Sequence, residues 1–396
     1  MKRWSEYFVI FCFLAFLAGA AAVTIFREKE TYSFFENRNL AAMPVYSAES
    51  DGNGSYFSAW ERYLSDHAAA RNTLLKVKTK LDLALGRPVI NDVVVRKDCL
   101  LPYLSEQNTD REKVAEKAEA LAKRLACIRD ATQSYGGYYC YVGVPCQYVS
   151  REEEYPWYLN NRSELSDWST EELSAALSAY GVDYLDLRDV YRELGDPKEF
   201  SSTVDNHYSI QGAFAAYQAI LEHVNAVTDL DIPVLGKDDL TFEAVPNRYL
   251  GSRTRKLLGQ VRLDEQLYVA LPAEPVPFTR TNNGVEGAPI VYAIPDNVWQ
   301  DVTYTLYMGG DVAQTVIDTG REDLPSVLIY GDSFTNALEC ILYLSFDKMY
   351  SLDLRHYQDM SIEEYIAMTQ PDVVVCIRDY ESLLEIDANG GGELPE

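Results

Sequence analysis

The apolar and polar positions along the chain fall into three patterns. Residues 7–26 are almost wholly apolar and follow Lys2 and Arg3. That length and basic flank predict a membrane-spanning helix whose N-terminal stub, residues 1–6, is cytoplasmic and whose remainder lies outside. Ala18, Gly19, Ala20, Ala21 and Ala22 offer small residues to a signal peptidase, so a cleaved signal peptide with secretion is the alternative. Residues 27–54 read as a polar, irregular linker. Phe57, Trp60, Leu64, Ala68, Leu74, Leu75, Val77 and Leu81 then recur at near-helical spacing and predict a helix over 56–85.

From residue 110 the third pattern sets in, long amphipathic segments alternating with short apolar runs. Helices are expected at 110–134, 165–179, 209–225, 335–344 and 361–368, and strands at 138–144, 183–187, 326–330, 349–354 and 373–377. Such alternation predicts an α/β fold: a three-layer α/β/α domain over 55–388 with a mainly parallel sheet. The stretch 229–320, richer in Pro, Gly, Thr and Val, reads as a β-rich insertion, and the tail 389–396 as disordered.

Composition narrows the chemistry. The chain has 396 residues, 35 basic and 61 acidic, for a net charge of -26. That balance repels phosphate backbones and argues against nucleic acid or an anionic lipid surface as partner. Seven cysteines contain no CxxC pair, and the four histidines form no cluster, so no metal site is expected. Cys140 and Cys376 sit in apolar runs and read as core residues.

Chemistry in a parallel sheet gathers where strands end at their carboxyl termini. Gly331-Asp332-Ser333-Phe334 follows a predicted strand and opens a helix, which exposes the Ser333 hydroxyl near free backbone N–H groups. The plainer reading is a helix N-cap at Asp332 or Ser333. A serine needs a base to become a nucleophile. His67 and His223 fall on helices and His356 follows a strand, whereas His207 lies in Asp205-Asn206-His207-Tyr208 just before a helix. A carboxylate two residues earlier can hold Nδ1 and leave Nε2 facing a serine.

These two segments resemble the DHHW family of Gram-positive bacteria and, more distantly, the alginate acetylation proteins of the AlgJ and AlgX type, which are SGNH hydrolase-like acyltransferases. Further landmarks follow in the same order: Glu36-Asn37-Arg38-Asn39-Leu40 with Pro44, Asp66-His67 with Arg71, Tyr249-Leu250-Gly251-Ser252, Met308-Gly309-Gly310-Asp311 and Asp353-Leu354-Arg355. The resemblance implies Ser333 as nucleophile, His207 as general base and Asp205 as its orienting carboxylate. It departs at Tyr208, where the family has tryptophan, and at Gln147, where a lysine is expected. Candidate oxyanion donors are Ser333, Gly309 and Gly310; candidate substrate contacts are Tyr208 and Arg355. The function implied is extracytoplasmic O-acetyl transfer to a cell-surface or secreted polysaccharide, from an acetyl donor for which a membrane acyltransferase is one source. No cofactor is required. A carbohydrate esterase with the same triad, or a non-catalytic polysaccharide-binding or assembly protein, stays open at this point.

Overall fold

The structure is a computed structural model that describes residues 2–27, 29–46, 55–105 and 110–387. The predicted tail 389–396 and residues 28 and 47–54 of the linker lie outside the described residues. The chain forms two compact units, Met1–Val95 with Thr254–Arg262, and Arg96–Arg253 with Leu263–Glu396. The segment 55–95, read from sequence as the start of the α/β domain, thus clusters with the N-terminal residues.

In the first unit, helix α1 (Lys2–Phe26) is long and apolar enough over Glu6–Phe26 to cross a membrane. The helix expected over 56–85 is two helices, α2 (Ser55–Asp66) and α3 (Arg71–Ala84). The break falls where Ala70 takes a left-handed conformation with φ 58°, which local periodicity does not register. Ion pairs hold the corner. Arg38 grips Asp66 through both oxygens at 2.6 and 2.8 Å, Arg71 pairs with Glu36 at 2.8 Å, and Ala41 N–H donates to Asp66. The Arg38 guanidinium holds the Asp66 carboxyl down at about 2. The segments 36–40 and 66–71 therefore meet as one structural knot.

The second unit is built on an eight-stranded sheet. Its strands are β1 (Tyr138–Val144), β2 (Asp183–Asp186), β3 (Thr279–Asn282), β4 (Val285–Glu286), β5 (Gln314–Asp318), β6 (Val327–Gly331), β7 (Lys348–Asp353) and β8 (Val373–Asp379), in the order β4-β3-β5-β7-β6-β8-β1-β2. The five strands from β7 to β2 are parallel, and β5, β3 and β4 extend the β7 edge antiparallel. Three strands of the β-rich stretch are thus part of the main sheet. Two others, Leu240–Ala244 and Tyr268–Pro272, pair as a separate ribbon.

The central parallel strands β6, β8 and β1 read as apolar runs because helices cover both faces, as expected for the three-layer α/β/α class. Val327, Leu328, Ile329 and Tyr330 are fully buried, as are Val373, Val374, Cys376 and Ile377. Helix α4 (Arg111–Gln133) packs with α5 (Ser163–Ala179) and α8 (Ile362–Thr369), while α6 (Ile210–Val227) packs with α7 (Thr335–Leu342). This arrangement sets β6 at the centre of the sheet, with its C-terminal end leading into α7.

Candidate active site

The turn after β6 owes its shape to crowding. A Cβ on Gly331 would lie 2.5 Å from the Ile377 carbonyl oxygen on β8 and 2.8 Å from Thr335 Cγ2. Close approach of two strands, and not a positive φ, is what requires glycine there. Asp332 then closes the turn: its Oδ1 accepts from Phe334 N–H at 2.9 Å, and its Oδ2 accepts from Ser382 Oγ at 3.2 Å and from Asp379 N–H at 3.4 Å. The fully buried Arg378 stands 3.8 Å away as its counter-ion. Asp332 is therefore the turn's structural acceptor, and Ser333 is left half-buried at its tip. The Ser333 N–H donates no hydrogen bond among the described residues.

The second loop precedes α6, which Ser209 caps by accepting from Gly212 N–H at 3.1 Å. Ser202 Oγ accepts from the N–H groups of Val204 and Asp205, and Glu265 accepts from Thr203 N–H at 2.7 Å. Gln147, 1% exposed, donates to the carbonyls of Leu100 and Ser202. Gly251 passes so near that a Cβ would sit 2.4 Å from the Val204 carbonyl oxygen. This close pass brings the Ser252 N–H to Asp205 Oδ2 at 2.6 Å.

The two loops meet. His207 Nδ1 is 2.5 Å from Asp205 Oδ1, and His207 Nε2 is 2.7 Å from Ser333 Oγ, across 126 positions of sequence. Because an ionised carboxylate only accepts, Nδ1 carries the proton and Nε2 is free to take one from the serine. Burial opposes the charge on Asp205, yet the His207 ring and the N–H groups of Ser252 and His207 hold its carboxyl below the usual range. The imidazole lies flat on Tyr304, with centroids 3.7 Å apart and planes 2° from parallel, so its tilt is fixed from one face. Phe334 flanks it at 4.9 Å.

The other candidates separate. Tyr208 is 3% exposed, stacks on Phe334, and its hydroxyl donates to the Phe334 carbonyl. It ties the histidine loop to the serine turn, with its ring buried between them. Gly310 N–H is spent on the Tyr307 carbonyl at 3.1 Å. Gly309 and Gly310 have φ of 84° and 90°, and Gly309 is pressed against the Tyr292 ring. Both serve a turn. Arg355 follows β7, beside β6, and forks onto Asp353 at 2.9 and 2.5 Å, reaching Asp311 at 3.0 Å. Asp311 in turn accepts from Asn336 in the first turn of α7. Arg355 is 41% exposed at this strand end, which leaves its outer edge accessible.

The remaining histidines are elsewhere: His67 Nε2 meets the Ala41 carbonyl, His223 pairs with Asp183 at 2.9 Å, and His356 is exposed beside Asp353. Among the described residues two groups have metal-ligand chemistry within 4.8 Å, Cys140-Asp183-His223 and Asp311-Asp353-His356. In the first, Asp183 is already bound by His223 and the Tyr138 hydroxyl. In the second, the Arg355 guanidinium already neutralises both carboxylates. Sequence reasoning marked Gln147 only as a departure from the resemblance and missed the roles of Ser252, Glu265 and Tyr304, because each acts by long-range contact. Only the Tyr249–Ser252 landmark pointed towards one of them.

Solved structures share this architecture. PatB1 of Bacillus cereus carrying a sulfonyl adduct is 18% identical over 76% of this chain and 98% of its own, with a TM-score of 0.63. A second PatB1 structure is 17% identical over 76% of this chain and 99% of its own, at 0.61. A DHHW family protein from Eubacterium siraeum is 16% identical over 76% of this chain and 95% of its own, at 0.56. No family model and no curated protein matches the sequence. At these identities the likeness is one of fold, and the resemblance to the DHHW family holds at that level.

Proposed function

We propose that the protein is an extracytoplasmic serine-dependent acyltransferase that moves an acetyl group to a hydroxyl of a cell-surface or secreted polysaccharide. The observation that carries this reading is the unbroken chain Asp205 Oδ1, His207 Nδ1, His207 Nε2, Ser333 Oγ, with both contacts within hydrogen-bond reach. Ser333 attacks the acyl donor as Nε2 takes its proton, and Asp205 stabilises the imidazolium. The unpartnered Ser333 N–H at the start of α7 donates to the oxyanion. The acyl-serine is then resolved by the acceptor hydroxyl, activated by the same Nε2. The sulfonyl adduct on PatB1 supports the reading, since sulfonylating reagents capture activated nucleophiles. Helix α1, with Lys2 and Arg3 at its cytoplasmic end, tethers the domain outside the cell, where such glycans lie.

The test incubates the full-length protein with a chromogenic acetyl ester, alone and with surface oligosaccharides. Wild type is expected to release chromophore and to acetylate the sugar. Ser333→Ala should do neither. Release that is equal in the two proteins refutes the serine mechanism, and release without sugar product assigns the site to ester hydrolysis.

A further inference from the structure

A second polar group stands beside the base. Asn206 Nδ2 is 3.5 Å from His207 Nε2. Its amide is not free to turn, because Asn206 Oδ1 accepts from the Ser252 hydroxyl at 2.7 Å and Ser252 Oγ accepts from the Asn206 backbone N–H at 3.2 Å. With Oδ1 committed to a donor, the N–H bonds of Nδ2 are the ones turned towards the ring. The Ser252 N–H meanwhile holds Asp205 Oδ2. One residue thus latches both the carboxylate behind the imidazole and the amide in front of it.

In the resting site Nε2 is engaged by Ser333 Oγ. Once Oγ is an ester it has no proton to give, and the next O–H to reach Nε2 belongs to the attacking alcohol, about 2.6–3.2 Å away. An oxygen held there lies next to Asn206 Nδ2. Building on the acyl-transfer reading, we propose that Asn206 is an acceptor-binding residue whose Nδ2–H donates to the oxygen of the incoming sugar hydroxyl. The step balances without further reactants. The acceptor proton passes to Nε2, the acceptor oxygen bonds to the acyl carbon, and the acyl–Oγ bond breaks as Oγ takes the proton back. Water reorients freely and needs no guide. A sugar hydroxyl carries its ring with it and must be held with its single proton on Nε2, so the amide favours transfer over hydrolysis.

The experiment follows full-length Asn206→Ala and Asn206→Leu with a chromogenic aryl acetate, reading the acylation burst and the ratio of sugar acetylation to hydrolysis. An aryloxide leaves unaided, so the burst should stay within about threefold of wild type. The transfer-to-hydrolysis ratio should fall about 10- to 100-fold, as for loss of a hydrogen bond in the reacting state. Asn206→Leu, close in volume, removes the donor without setting a charge or an acceptor beside Nε2, and should show the same split. Ser252→Ala, which acts only through the latch, should lower the ratio by less, and the double variant should match Asn206→Ala. An unchanged ratio overturns the proposal. So does loss of the burst in folded Asn206 variants, which moves the residue to the acylation step. A wild type that neither releases chromophore nor carries acyl on Ser333 removes the acyl-transfer reading itself, an outcome distinct from either.

Discussion

Replacing Asp205 with asparagine is the sharpest perturbation of the hydrogen-bond chain. The side chain is 2% exposed and receives three N–H groups: His207 Nδ1 at 2.5 Å and His207 N at 3.2 Å on Oδ1, and Ser252 N at 2.6 Å on Oδ2. An amide keeps the shape but supplies only one acceptor atom. If its NH2 faces Ser252, a donor is set against a fixed backbone donor, at a cost of about 1–3 kcal/mol. If its NH2 faces the imidazole, the ring must accept at Nδ1 and carry its proton on Nε2, which can no longer take one from Ser333. That orientation meets only the longer backbone contact, His207 N at 3.2 Å, against Ser252 N at 2.6 Å for the other, so the cheaper choice for the fold is the inactive tautomer. The expected loss in kcat is about ten-thousand-fold, the magnitude found when a triad aspartate is made neutral. Burst kinetics on a chromogenic acetyl ester would measure it, with far-ultraviolet circular dichroism confirming a native fold. A folded Asp205→Asn protein that keeps activity within about tenfold of wild type refutes the tautomer argument.

Two further perturbations test the supports. Tyr208→Phe leaves the buried Phe334 carbonyl without its donor, and should lower stability by about 1–3 kcal/mol in denaturant titrations, with a fall in kcat larger than any change in KM; unchanged stability would contradict the tie between the loops. Asp66→Asn breaks the grip of Arg38 on a carboxyl held down at about 2. A depressed carboxyl stabilises the fold above its unfolded value and loses that contribution as pH falls through its folded one. The variant should thus be less stable than wild type at neutral pH, with the gap closing between about pH 4 and pH 2, as followed by urea melts; a gap independent of pH would contradict the pairing.

Much of the sheet was legible because its strands are buried on both faces. Val373–Ile377 and Val327–Tyr330 read as apolar runs, and the amphipathic helices between them repeat at near-helical spacing. The serine turn and the histidine loop were legible as local signatures of strand end and helix start. What pattern cannot carry is contact across distance. The corner at Ala70 is held by ion pairs reaching back to Arg38 and Glu36. The need for glycine at 331 comes from a carbonyl 46 positions later, on β8. Tyr208 read as a candidate substrate contact because its partner, the Phe334 carbonyl, lies 126 positions away and leaves no local trace. The engagement of the Gly310 N–H by the Tyr307 carbonyl was not legible either, since a glycine pair says only that the backbone turns.

The most direct measurement is intact-mass and peptide mass spectrometry of the protein quenched during turnover of an acetyl donor. The hydrogen-bonded triad predicts one acetyl group on Ser333 in wild type, and none at that position when His207 is replaced by alanine. Acetyl on a different residue, or equal acetylation of Ser333 without the imidazole, would contradict it.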